Sequence, residues 1–454
     1  MEHLNYRSNV VLHAFDWEYA YVERQAKVIA ELGYRSVLVS PPMKSYQNQL
    51  GTQWWQRYQP QDYRVIDNQL GNTVTFKAMV DALSKFDIQV YVDVVFNHMA
   101  NESYLRQDLQ YPSSADLLEY QARAEYFQKQ RLFGDLSQPL FKDEDFVDAF
   151  GIEDWKDKWE VQNGRISGGP QDPGLPTLQD SDYVVEQQQS YLKALKKMGV
   201  KGFRIDAAKH MTIEHLKKVW TDEITNDVHI FGEIITDGGA TAEEYDTFLE
   251  PYLKETRLGA YDFPLFNTIF EAFEPKGSFT SLIDPYCFGL ALSKRRSITF
   301  AITHDIPNND VFSNLVMSEE DEALAYSYIL GRDGGVPLIY TDLDTSNIRN
   351  KAGKPRWQDA WKAPEMVNRI AFYNHVHGEK MSVIEANDDI LAFSRGDKGL
   401  VILNKSKRKQ TLSIDWSCRV VDLLTNRIFE SKNGKLIIRI SGKTSLMLIT
   451  EPQV

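Results

Sequence analysis

A chain of 454 residues, 43% of them hydrophobic, has enough apolar material for a large core and two or three domains. Its 64 acidic side chains outnumber 51 basic ones, and the net charge of −13 argues against a nucleic-acid partner, because neutralising phosphates takes clustered Lys and Arg. No apolar run approaches the length of a membrane span, so no membrane partner is expected either.

Cys287 and Cys418, far apart in the chain, read as free thiols rather than a disulfide, which points to a reducing compartment. The amino-terminal MEHLNYRSNVVLHAF has no apolar segment ending in a small-residue cleavage site. The expectation is a cytoplasmic protein, monomeric by default, although a leader already removed would leave the same picture. The basic run KSKRKQ (405–410) lies between strand-like stretches and reads as a solvated turn.

In chain order, NVVLHAF (9–15) precedes an amphipathic stretch around 18–32, RSVLVSPP (35–42), a helical stretch near 73–86 and QVYVDVVFNH (89–98). The rhythm then stops for residues 99–175, which are polar and rich in Asp, Gln and Gly. It resumes with a helix near 181–198 and GFRIDAAKH (202–210), followed by HIFGEI (229–234), GAYDFPLF (259–266), SITFAITHD (297–305) and GVPLIYTD (335–342). Eight buried strands separated by helices predict a parallel (β/α)8 barrel over 1–98 and 176–379, in preference to a doubly wound sheet. Residues 99–175 then form an excursion domain after the third strand. After a last helix near 364–377, strand-like runs with short polar turns predict a small antiparallel, sandwich-like β domain over 380–454.

Side chains alternate along a strand, so in GFRIDAAKH the charged Arg204 and Asp206 share one face of an otherwise apolar element. Catalytic groups of a barrel collect at the carboxyl ends of its strands. Reading those ends gives Asn97 and His98, then Arg204, Asp206, Lys209 and His210, then Glu233, then His304 and Asp305. Each acidic residue alone is compatible with a helix cap or a structural ion pair. Their convergence from four strands is what points to a site. The histidines would suit zinc by type, but the short regular spacing of a zinc site is missing.

DVVFNH, GFRIDAAKH, FGEII and FAITHD together resemble the four conserved segments of the α-amylase family of retaining glycoside hydrolases. LHAFDW, SPP and WWQRYQP resemble its bacterial and animal-type α-amylases, and GAYDFPLF resembles its sixth strand. The resemblance implies Asp206 as nucleophile, kept ionised and aimed by Arg204. It implies Glu233 as general acid/base and Asp305 as the third carboxylate, with His98 and His304 on the sugar at the cleavage point. It also implies that Tyr58 stacks under that sugar, that Trp54 and Trp55 line the next subsites, and that Lys209 and His210 hold the leaving-group side. For Trp55, ordinary packing is an equal alternative. Trp155 and Trp159, one helical turn apart, are either another sugar platform or the apolar stripe of a short helix.

Two departures stand out. Ile306 and Pro307 follow the HD pair where the family commonly has a polar residue, which puts chain-length preference in doubt. In the family a structural calcium ties the excursion to the barrel through the asparagine of the third-strand segment, an aspartate late in the excursion, and the carbonyl of the histidine closing the fourth-strand segment. Asn97 and His210 hold the outer two positions, but GLPTLQ places Thr177 at the aspartate's. A hydroxyl in place of a carboxylate weakens a calcium site severely, so no cofactor is expected to be required unless Asp172 or Asp180 compensates. The functional expectation is an α-1,4-glucan hydrolase acting on starch, glycogen or maltodextrins. The rivals are an α-glucanotransferase with the same residues and a non-catalytic glucan-binding relative.

Overall fold

The structure is a computed structural model that describes residues 8–48, 51–168, 171–236, 242–284 and 291–451, so Cys287 lies outside the described residues. Eight parallel strands close into a barrel: β1 (Val11–Ala14), β2 (Ser36–Val39), β3 (Gln89–Val94), β4 (Val200–Ile205), β5 (His229–Gly232), β6 (Gly259–Tyr261), β7 (Ser297–Thr299) and β8 (Val336–Thr341). Each pairs with its sequence neighbours, and β1 closes the ring against β8 with Val11 opposite Leu338. This is the barrel expected from the alternation. The helices at Tyr19–Glu31, Thr73–Ser84, Asp182–Met198 and Pro364–Val376 fall where the apolar periodicity places them.

Two strands end earlier than their apolar runs. GAYDFPLF becomes strand only to Tyr261, because Asp262 accepts a hydrogen bond from the Leu265 amide at 3.0 Å and caps a helix over Phe263–Phe273. Pro264 sits in the first turn of that helix, where its missing N–H costs nothing. In SITFAITHD the strand stops at Thr299, leaving the following residues to line the barrel mouth.

After β3 the chain leaves the barrel and returns at β4, carrying helices at Ser114–Ala122, Ala124–Gln130 and Lys158–Asn163. Tyr120, Phe127 and Leu136 of this excursion pack in a small cluster on Val65 of the segment after β2. Backbone pairing ties both ends together: Met99 N donates to Pro176 O, and Leu178 N to Asn97 O, each at 3.0 Å.

Beyond the barrel, a six-stranded antiparallel sheet and a two-stranded antiparallel sheet of Gln410–Asp415 with Lys435–Ile440 face each other over Ile390, Leu400, Leu412, Ile438 and Leu448. Two cations of this domain reach into the barrel's helix ends. Arg395 donates to the carbonyls of Gly331 and Arg332 at 2.7 Å, Glu379 at 3.0 Å and Val376 at 3.1 Å. Lys405 Nζ donates to the carbonyls of Ala272, Glu274 and Gly277 at 2.6–3.0 Å. The basic run at 405–410 is therefore not simply a solvated turn, because its first residue is buried against the barrel. Among the described residues no helix is long and apolar enough to cross a membrane.

Candidate active site

The floor of the barrel mouth is organised by Arg204, whose side chain is completely buried at the end of β4. Burying a guanidinium is tolerable only when its donors meet acceptors. Here Nη1 donates to both oxygens of Asp93, at 2.8 and 2.7 Å, and to Asp206 at 2.8 Å. Nη2 donates to Glu233 and lies 3.7 Å from Asp305. One cation thus gathers four carboxylates from β3, β4, β5 and the segment after β7. Asp305 opens a short helix over Asp305–Asn308 in which Ile306 is buried and Pro307 lies half-buried.

Local backbone geometry aims these groups. Ala207 sits at φ 49°, ψ 35°, a left-handed conformation that a non-glycine residue adopts at a cost. That turn points the Ala207 amide at Glu233 Oε2, 3.0 Å away. Gly232 precedes Glu233 because a Cβ there would meet Tyr252 Oη at 2.8 Å and the Ala208 methyl at 3.0 Å.

Four carboxylates around one cation cannot all stay ionised out of water. Burial pushes the Glu233 carboxyl up to about 8 against the pull of Arg204. It pushes Asp206 up to about 7 and Asp93 to about 8, again opposed by Arg204, and raises Asp305. Asp93 and Asp206 accept from the same guanidinium, so their protons are not held independently.

An aromatic wall rises beside them. Tyr58 and His304 stack with ring centroids 5.3 Å apart and planes 15° from parallel, and His304 stacks in turn on Phe15 at 4.5 Å. Trp54 stands edge-on to both, 6.0 Å from each. Trp55 turns away and stacks on Tyr46 at 6.0 Å, the packing alternative stated for it above. His98 Nε2 donates to the Tyr58 carbonyl at 3.0 Å, so this histidine fixes the tyrosine. His304 Nε2 lies 3.4 Å from Asp305 Oδ1. Burial holds both imidazoles neutral, His98 near 4 and His304 well below its ordinary value.

Sequence similarity agrees with this geometry. Residues 22–274 match the family description "Alpha amylase, catalytic domain". An α-amylase of Aeromonas hydrophila is 47% identical over 408 residues, spanning 90% of this chain and 86% of that protein. The chain belongs to the α-amylase family. It is an α-amylase-type glycoside hydrolase, an enzyme of α-1,4-glucans. Among solved structures, α-amylase I from Eisenia fetida superposes with a TM-score of 0.78 at 20% identity, covering 98% of this chain and 97% of that one. A mutant of that enzyme in complex with maltohexaose superposes with a TM-score of 0.74 at 20% identity, over 98% of each chain. These two likenesses speak to the fold.

At the rim after β4, Lys209 Nζ pairs with Glu244 at 2.8 Å, and His210 Nδ1 donates to the Val161 carbonyl at 2.9 Å. Trp155 stands edge-on to His210 at 5.8 Å and is half exposed. Trp159 stacks flat on Phe150 at 5.4 Å, so the two tryptophans meet different partners.

Two residues of the site escaped the reading of the sequence. Asp93 accepts from Arg204 and, at 3.0 Å, from the Tyr58 hydroxyl; its signal was a lone carboxylate inside the apolar strand QVYVDVV. Arg57 is buried and pairs bidentately with Asp16 at 2.7 and 3.0 Å, which pins the helical turn Trp54–Tyr58 to the end of β1.

At the aspartate position of the family's calcium site, the residue present is turned to protein. The Thr177 hydroxyl donates to the Gly164 carbonyl at 2.9 Å, and the Asn97 carbonyl accepts from Leu178 N. Asp172 accepts from Asn101 at 2.7 Å and from the Gly174 amide at 2.9 Å, while Asp180 takes Lys218 at 3.0 Å and His215 at 3.3 Å. No three His, Cys, Asp or Glu side chains among the described residues converge as metal ligands. Calcium wants several hard and mostly charged oxygens, and the Thr177 hydroxyl is a neutral one already given to a carbonyl.

Proposed function

We propose that this enzyme cleaves α-1,4-glucosidic bonds by double displacement, with Asp206 as nucleophile and Glu233 as general acid and base. Asp206 attacks the anomeric carbon while the Glu233 proton passes to the glycosidic oxygen, which departs as the hydroxyl of the leaving chain. Water then gives its proton to the Glu233 carboxylate, its oxygen bonds the anomeric carbon, and Asp206 is released as a carboxylate. Asp305 stabilises the positive charge that develops on the sugar ring, and Tyr58 stacks against its face. The single observation that carries this reading is the shared guanidinium of Arg204, bonded to Asp206 and Glu233 together. Product analysis with soluble starch, pullulan and maltotriose tests it. Shorter α-1,4-glucans with retained anomeric configuration are expected from starch. Products longer than the substrate would replace hydrolysis by glucanosyl transfer as the main reaction.

Trp54, edge-on to Tyr58 and His304 on one side, also borders a cavity of about 680 Å³ lined by Asp16, Tyr21, Gln53 and Asp344. Trp54→Ala is expected to weaken hydrolysis of starch and maltoheptaose several-fold more than that of maltotriose, because only long chains reach this surface. Equal losses in kcat/KM on all three would remove Trp54 from substrate binding.

We further infer that the excursion is held to the barrel by direct hydrogen bonds and not by calcium. Dialysis against a strong chelator is then expected to leave activity and melting temperature unchanged. A melting temperature that falls by many degrees and recovers on adding calcium would refute this.

A further inference from the structure

Lys209 lies at the barrel rim, three residues after Asp206, and its amide donates to the Glu233 carbonyl at 3.2 Å. Its ammonium does not point freely into the cleft. Glu244 Oε1 takes one N–H at 2.8 Å, and the Phe248 ring lies beneath the nitrogen with its centroid 4.9 Å away. Both side chains of the ion pair are nearly buried, 10% and 6% exposed, so solvent screens the pair little and holds it in one geometry. Glu244 and Phe248 come from the segment after β5, where the helix widens to a π turn over Tyr245–Leu249. Such turns are uncommon and are often found at functional sites. The neighbouring Glu243 also meets Lys156 of the excursion at 3.5 Å, beside the Trp155 that abuts His210.

We propose that Glu244 is a positioning residue for the leaving-group side of the cleft. With one N–H on Glu244 and the ring of Phe248 below, the ammonium of Lys209 keeps its remaining donor capacity in one fixed direction for a sugar hydroxyl beyond the scissile bond. A lysine left loose would lose that pre-organisation to side-chain entropy and to water. The inference rests on the double-displacement reading above for the leaving group itself, and on the family resemblance for the side of the cleft that Lys209 serves. It predicts an effect that depends on what the leaving group is.

The test compares two substrates. Maltoheptaose leaves as a glucan and uses the Lys209 side, whereas an aryl α-maltotrioside leaves as a phenol and does not. Glu244→Ala is expected to lower kcat/KM on maltoheptaose about tenfold, mainly through KM, the size of a charge-assisted contact made loose. The aryl substrate is expected to change less than twofold. Glu244→Asp should recover part of the loss, and Lys209→Met combined with Glu244→Ala should be no worse than Lys209→Met alone, as for two residues acting through one contact. If the Ala variant does not fold, the isosteric Glu244→Gln takes its place with the same pattern expected. Equal losses on both substrates, no loss on either, or additive effects in the double variant would overturn the proposal. A wild-type enzyme that cleaves neither substrate would instead overturn the reading of the reaction.

Discussion

Asp206→Asn is expected to lower turnover on starch by roughly 10⁴-fold or more, and Glu233→Gln by roughly 10²–10⁴-fold, with the fold intact in both. The nucleophile is irreplaceable because an amide cannot form the ester bond, whereas the acid's loss matters less when the leaving group is good. A Glu233→Gln enzyme should therefore keep far more activity on an aryl glycoside than on starch. Near wild-type starch hydrolysis by either variant would dismantle the assignment. The pH profile follows from the same cluster. Asp206 must be ionised, and it loses its proton near pH 7; Glu233 must be protonated, and it keeps its proton to about pH 8. Activity should rise through the first value and fall through the second, a narrow bell whose alkaline limb disappears in Glu233→Gln.

Stability should move the opposite way. A carboxyl whose folded value lies above its unfolded one binds a proton more readily in the native state, so its contribution to stability is lost as pH rises from about 4 toward about 8. Glu233→Gln removes that penalty. Its melting temperature is expected to exceed wild type by more at pH 9 than at pH 6, and no gain at either pH would mean that the site is wetter than its burial indicates. The chemistry is thus built from groups that cost the fold something, which is the usual trade at an active site.

The barrel and its three carboxylates were legible because they rest on local signals: apolar strands of the right length, and charges where a strand should be purely apolar. Asp93 carried the same signal as Asp206 and was passed over because it lies in the middle of the apolar run QVYVDVVFNH, whereas the strand itself ends one residue later, at Val94. The roles of His98 and Lys209 were less legible. A sequence gives the residue type at the rim, but not that one ring spends its Nε2 on the Tyr58 carbonyl or that one ammonium is taken by Glu244, 35 positions along the chain. Arg57 with Asp16 and Lys405 with the carbonyls of Ala272, Glu274 and Gly277 belong to the same class. Their partners are distant in sequence, and three of those partners are backbone atoms that leave no trace in composition.

Arg395 presents the largest expected effect outside the cleft. It belongs to the strand Ile390–Arg395 of the terminal β domain, is 2% exposed, and faces the carboxyl ends of the helices Glu319–Gly331 and Pro364–Val376. Helix ends leave carbonyls without intrahelical donors and carry partial negative charge, so a cation there answers both needs. One planar guanidinium serves four carbonyls from these two helix ends, a task that suits its fixed fork better than the point charge of lysine. The helix it caps also lies close to the sheet, since a Cβ on Gly331 would meet the Val401 side chain at 2.8 Å. Nearby, Arg369 donates to Ser327, whose hydroxyl meets Ser445 of the β domain at 2.7 Å, so the contact has polar support beyond Arg395. Arg395→Met keeps the stem but strands the carbonyls away from water, at about 1–3 kcal/mol for each left unsatisfied. The expected loss is about 3–5 kcal/mol, allowing for local repacking. Urea unfolding followed by circular dichroism should show it as a lowered midpoint, with the β domain leaving first and the wild-type transition splitting in two. Arg395→Lys should recover only part, because three N–H donors replace five. Activity below the new midpoint should remain near wild type, since Arg395 meets the carboxyl ends of helices while the site lies at the carboxyl ends of the barrel strands. A midpoint shifted by less than about 0.5 kcal/mol, the range of ordinary surface substitutions, would mean that water reaches these carbonyls and that the arginine is not what holds the two domains together.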